Sequence, residues 1–160
     1  MALADRGTLE DRLPGAGSSP AAPPAPGQVL IVARSMAECI NVVHSHGLIH
    51  RDIKPGNLLV AASRGAMGRG PEEILGSGER FVLGDFGLAK DVALHNTGIT
   101  IAAGSGGYAA PEQMSPLGTP DHRVDLFAAT AVMYRVIAGT RPPGYEPGQR
   151  AMELPDGWWM

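Results

Sequence analysis

Cysteine and lysine are almost missing from this chain of 160 residues. Cys39 stands alone, so no internal disulfide can form, and a lone thiol fits a reducing cytoplasm. Lysine occurs at Lys54 and Lys90 alone, and arginine supplies the other positive charge. A net charge of −3 leaves no basic footprint for nucleic acid. Aromatic residues make up 5% of the chain, so its core must rest on aliphatic side chains. Long apolar runs are lacking too: Gly, Arg or Thr interrupts each one before it reaches the length of a membrane span. The N-terminus has no charged-then-apolar secretion pattern. One cytoplasmic domain without a membrane span is expected.

Glycine and proline, by contrast, are plentiful and punctuate the chain. Every residue from Pro14 to Gly27 is Pro, Gly, Ala or Ser. Such a stretch cannot bury apolar side chains, so residues 1–27 are expected to form a disordered tether. Val32, Met36, Cys39/Ile40 and Val43 then recur at helical spacing, predicting a helix from Gln28 to His46 closed by Gly47. A polar loop, His50 to Asn57, separates it from an apolar strand at Leu58-Leu59-Val60. A second strand, Phe81-Val82-Leu83, would return as a hairpin, with 61–80 between them as a long flexible insertion. Asp121 to Ala138 predicts a second long helix, with a stripe of Val124, Phe127, Ala128, Ala131, Tyr134 and Ile137. Residues 144–160 read as a tail. The class is α+β, mainly helical, with a small β-hairpin region.

The polar loop carries the chemistry. Phosphoryl transfer to a hydroxyl needs a carboxylate base, oxygen ligands for Mg²⁺ and a cation near the transferred group. Asp52 is the natural base, and Lys54 can reach the same pocket. Asn57 offers an amide oxygen to a metal, and Asp85 offers a carboxylate from the end of the second strand. A hairpin returns Asp85 beside Asn57. His44, His46 and His50 suggest a metal site of another kind, but Gly47 breaks the helix between them and no Cys or carboxylate completes a set.

His50-Arg51-Asp52-Ile53-Lys54-Pro55-Gly56-Asn57 resembles the catalytic loop of the protein kinases, and Asp85-Phe86-Gly87 resembles their metal-binding triplet. The run Gly104 to Glu112 resembles the end of their activation segment, and Asp125-Leu126-Phe127-Ala128 the start of their central helix. Lys54 after the base is the serine/threonine pattern, and Pro111-Glu112-Gln113 is similar to bacterial members. The resemblance covers 28–143 and implies an incomplete kinase-like C-lobe. It implies Asp52 as catalytic base, Lys54 on the γ-phosphate of ATP, and Asn57 and Asp85 on Mg²⁺. Arg51 would pair with a phosphorylated Thr97 or Thr100, and Ser105 would bond the base and lysine. Asp125 would brace the loop from below, His50 and Phe86 would pack beside it, and Gly87 and Glu112 would be structural.

The sequence departs from the family at its start. No lysine precedes Lys54, Gly15-Ala16-Gly17 lacks the third glycine of a phosphate lid, and Glu10 and Glu38 are the only early glutamates. The N-lobe is therefore expected to be absent. One reading is an ATP- and Mg²⁺-dependent kinase acting on Ser/Thr of a protein. The alternative is a non-catalytic, kinase-like fragment that binds another protein or a complementing N-lobe, or a truncated gene product.

Overall fold

The computed structural model describes residues 4–15, 23–86, 90–91, 107–114 and 120–143. Its first long helix, α1 (Pro26–Ser45), starts slightly before the predicted Gln28, because proline suits the first helical position. Val32, Ser35, Met36, Ile40 and Val43 are buried on one side, while Arg34 and Glu38 pair at 2.8 Å on the exposed side. Gly47 ends the helix in the left-handed region at φ 69°, as its position predicts.

Strand β1 (Leu48–Ile49) leads into the polar loop, whose last turn is a 3₁₀ turn at Pro55–Asn57. Strands β2 (Leu58–Ala62) and β3 (Glu79–Leu83) then pair antiparallel, Leu58 opposite Leu83 and Ala62 opposite Glu79. Their alternation turns Leu58, Val60, Phe81 and Leu83 into the core and leaves Val82 exposed. Strand β4 (Lys90–Asp91) pairs antiparallel with β1. A short α2 (Pro111–Met114) precedes α3 (Arg123–Ala138), which stops at Gly139 with φ 69°. Among the described residues this is an α+β arrangement in which helix outweighs strand.

The core lies between α1, α3 and the β2–β3 hairpin, and it includes Val32, Met36, Phe81, Val132 and Val136. The buried face of α3 is rotated from the predicted stripe. Val124, Ala128, Ala131, Val132 and Val136 turn inward, whereas Tyr134 and Ile137 are half-buried. Phe127 packs instead on a small second cluster of Ile49, Ala110 and Val124. The inward face also holds Asp125 and Arg135, charged residues that a hydrophobic count assigns to the outside.

Two expectations are corrected here. The disordered tether over 1–27 does not hold for its first part. Leu9 has no exposed surface, its N–H donates to the Leu58 carbonyl at 2.9 Å, and the Val60 N–H donates to the Gly7 carbonyl at 2.8 Å. Thr8 stands opposite Leu59, so this segment extends the hairpin along the second edge of β2. One buried leucine and a few backbone bonds leave no periodicity for a sequence reading to detect.

Nor is 61–80 a flexible insertion throughout. Ile74 and Leu75 are in the main core, and their N–H groups donate to Gln28 Oε1 at 3.0 and 3.2 Å. Arg12 donates to both oxygens of Glu79, at 2.6 and 3.2 Å, and to the Ile74 carbonyl at 2.7 Å. The bond from Arg12, foremost, holds the Glu79 carboxyl well below the usual range, at about 2, against the opposing effect of burial.

Candidate active site

A buried carboxylate from α3 shapes the polar loop. Asp125 is 1% exposed. Its Oδ2 accepts the N–H of His50 at 2.9 Å, and its Oδ1 accepts the N–H of Arg51 at 2.8 Å. His44 Nε2, from the last turn of α1, stands 2.8 Å from the same Oδ2. Arg51 adopts φ 68°, which aims two successive N–H groups at one anion. That left-handed turn costs a non-glycine residue roughly 1–2 kcal/mol, and charge-assisted bonds of the kind made to Asp125 offset it.

His50 passes this fixed position on to the next residues. Its ring is fully buried, with the Asp52 N–H 3.3 Å from Nδ1 and the Gly84 carbonyl 2.9 Å from Nε2. A backbone amide must donate, so Nδ1 accepts and the proton is assigned to Nε2, which donates to Gly84. The Gly84 N–H in turn donates to the Asn57 carbonyl at 2.9 Å. A Cβ at Gly84 would stand 2.7 Å from Leu59 Cδ1, so a glycine is what lets the strand end lie this close.

The acid, the amide and the lysine meet directly. Lys54 Nζ donates to Asp52 Oδ2 at 2.7 Å, and Asn57 Nδ2 donates to the same oxygen at 3.0 Å and to the Asp52 carbonyl at 2.8 Å. Both donors sharpen the negative charge on one oxygen and fix its direction. Asp85 follows Gly84 immediately and is exposed, with its backbone at φ 56°. The sequence-predicted Asp52, Lys54 and Asn57 are thus joined by direct bonds. Asp85 is next to the residue that bridges His50 and Asn57.

The chemistry of these residues suits Mg²⁺. Asn57 commits its amide nitrogen inward, which leaves its oxygen as the end suited to a cation, and the carboxylate of Asp85, one residue beyond Gly84, is of the hard oxygen type that Mg²⁺ prefers. Among the described residues no group of three or more His, Cys, Asp or Glu side chains is arranged to hold a metal ion. Magnesium, which keeps waters and shares phosphate oxygens, needs no such group.

Several predicted residues stand differently or lie elsewhere. Phe86, expected to pack, is 45% exposed and sets its ring edge-on to His50 at 4.9 Å. It ends beyond the core that α1, α3 and the hairpin enclose. Arg51 Nη2 lies 3.5 Å from the Pro120 carbonyl, and its Nε is buried without a hydrogen-bond partner among the described residues. Glu112 is half-buried in α2. Gly87, Thr97, Thr100 and Ser105 lie outside the described residues. Two further contributors escaped the sequence reading. Gln113 accepts the Ala110 N–H at 3.1 Å and donates to the Arg51 carbonyl at 2.8 Å, tying α2 to the loop. His44 is the other, and its partner lies 81 residues away.

Residues 2–154 match the family model of the protein kinase domain. The chain belongs to the protein kinase family. It is similar to the serine/threonine-protein kinase PknJ of Mycobacterium tuberculosis, with 34% identity over 145 residues, covering 89% of this chain and 21% of that protein. The DNA damage-responsive serine/threonine-protein kinase RqkA of Deinococcus radiodurans is 36% identical over 123 residues, covering 74% and 16%. The serine/threonine-protein kinase PknB of Mycobacterium leprae is 28% identical over 145 residues, covering 89% and 20%. The chain stands with the bacterial serine/threonine kinases and spans about a fifth of the length of such relatives. The kinase match takes in residues 2–27 as well, including the packed segment around Leu9.

Proposed function

We propose that this kinase chain carries the phosphoryl-transfer residues of an ATP- and Mg²⁺-dependent serine/threonine protein kinase. The observation behind this reading is the convergence of Lys54 Nζ and Asn57 Nδ2 on Asp52 Oδ2 at 2.7 and 3.0 Å. Asp52 orients the hydroxyl of a protein Ser or Thr and takes its proton. Lys54, with a half-exposed side chain, swings its ammonium between this carboxylate and the transferred group. Asn57 and Asp85 would hold Mg²⁺, which supplies charge neutralisation for the phosphates when bound. Arg51, one residue before the base, would receive a phosphorylated Thr97 or Thr100. Catalysis of this kind is largely positioning, and the backbone bonds that Asp125 and the His50 ring accept supply it.

Calorimetry of Mg²⁺-ATP against the 160-residue chain, together with radiolabelled phosphate transfer to a protein acceptor, tests the proposal. Binding and transfer are expected, with transfer lost in Asp52→Asn. Equal transfer by both proteins would overturn the assignment. A well-folded chain that binds no nucleotide would favour the alternative, a non-catalytic unit that works with a complementing N-lobe or another protein.

A further inference from the structure

We propose that Glu79 is a positioning residue that clamps the segment 6–13 in one register against β2 and thereby steadies the strand end beside Asn57 and Asp85. The proposal rests on the kinase reading for its functional consequence, and on geometry alone for the clamp. The Glu79 side chain is 1% exposed and meets two arginines of that segment, Arg12 at 2.6 Å and Arg6 at 3.3 Å. Arg12 also donates to the Ile74 carbonyl at 2.7 Å and to the Arg6 carbonyl at 3.2 Å, so its guanidinium joins the β2–β3 connection to the segment's own backbone. The Gly76 N–H donates to Glu79 Oε2 at 2.9 Å and fixes the carboxylate from the other side. The connection is anchored a second time by Gln28, at the start of α1, through Ile74 and Leu75.

The clamp reaches the site in short steps. It sets the Thr8–Leu59 pairing and the Leu9-to-Leu58 bond, and Leu58 directly follows Asn57. The Leu59 side chain lies over Gly84, which bonds Asn57 and precedes Asp85. A slip of one residue would turn Leu9 out of the core and shift every pair along this edge. Buried ion pairs are weak devices for stability and better ones for register, and the residues assembled here suit the second use.

Amide hydrogen exchange on the full chain tests this, comparing wild type, Glu79→Gln and the double variant Arg12→Met/Glu79→Met. The apolar double variant restores burial without the clamp, so it separates register from stability. In both variants, exchange at Leu9, Val60 and Gly84 is expected to quicken at least tenfold, while the His50 and Arg51 amides held by Asp125 stay as in wild type. Mg²⁺-ATP affinity is expected to fall several-fold alongside. Unchanged exchange at Leu9 and Val60 would overturn the clamp, and so would a uniform quickening across the core, which marks plain destabilisation. If quickening at Leu9 and Val60 left Gly84 as in wild type, the link to the site would be wrong. Should wild type bind no Mg²⁺-ATP, the kinase reading fails while these amides still decide the clamp.

Discussion

Asp125 Oδ2 accepts the backbone N–H of His50 at 2.9 Å, across 75 residues of sequence. With Oδ1 on the Arg51 N–H, one α3 side chain fixes the loop that carries Asp52. Removing the carboxylate leaves two amide donors unsatisfied in or near the interior, and each such loss costs about 1–3 kcal/mol. Asp125→Ala is therefore expected to lose roughly 3 kcal/mol or more in urea unfolding and to lose phosphoryl transfer. Asp125→Asn keeps one acceptor and should fall between the two. A variant as stable as wild type, with protected His50 and Arg51 amides, would refute the bracing role.

Asp85 asks for a different result, loss of function with little loss of stability. It is exposed and sits at φ 56°, a conformation that Asn tolerates about as well as Asp. Asp85→Asn preserves the backbone and removes the charge. Mg²⁺-dependent nucleotide binding should weaken at least tenfold while the melting temperature stays within a few degrees. Undiminished binding in calorimetry would remove Asp85 from the metal site.

Lys54 separates the reaction from the fold in the same way. Its side chain is 35% exposed, and a pair of that exposure contributes about 1 kcal/mol at most. Lys54→Met should leave unfolding within about that margin. On the proposed role, in which the ammonium acts on the transferred group, it should lower kcat far more than it changes nucleotide affinity. An equal fall in affinity, with kcat unchanged, would make Lys54 a binding residue only.

The parts legible in the sequence share one property, that their information is local. Val32, Met36, Ile40 and Val43 announce α1 by spacing, Gly47 and Gly139 announce the helix ends, and the octapeptide His50–Asn57 contains three of the residues that meet. What stayed hidden depends on partners far away in the chain. Leu9, with Leu13 four residues on, is too little apolar sequence to announce an element until β2 lies beside it. Arg135 reads as a surface residue on a helix, yet it is 1% exposed and donates to the carbonyls of Gly139 and Pro14. The face of α3 could not be phased from its apolar residues alone, because the buried side of the helix also carries Asp125 and Arg135.

Acid should reveal the Glu79 pair. Its folded carboxyl titrates at about 2, below the ordinary 4.5, so the stability it contributes is full above the ordinary value and is lost as pH falls from about 4.5 towards 2. Urea unfolding of wild type should weaken across this window, while Glu79→Gln, which has no such proton to take up, should show a flatter profile. Parallel profiles would mean that the carboxyl is not held low by Arg12.

Leu9→Ala settles whether the first residues belong to the domain. A tether would tolerate the change, since an exposed leucine contributes almost nothing to folding. Leu9 instead has no exposed surface and packs in the main core with Leu58, Val60 and Tyr108 among its members. Truncating a buried leucine removes transfer free energy and leaves a cavity, together costing about 2–5 kcal/mol. The loss should appear in urea unfolding as a lower midpoint with the slope unchanged. Deleting residues 1–5, which stops short of the paired segment, should have no such effect. If Leu9→Ala matched wild type, the packed segment would be marginal and the edge of β2 would need another cover.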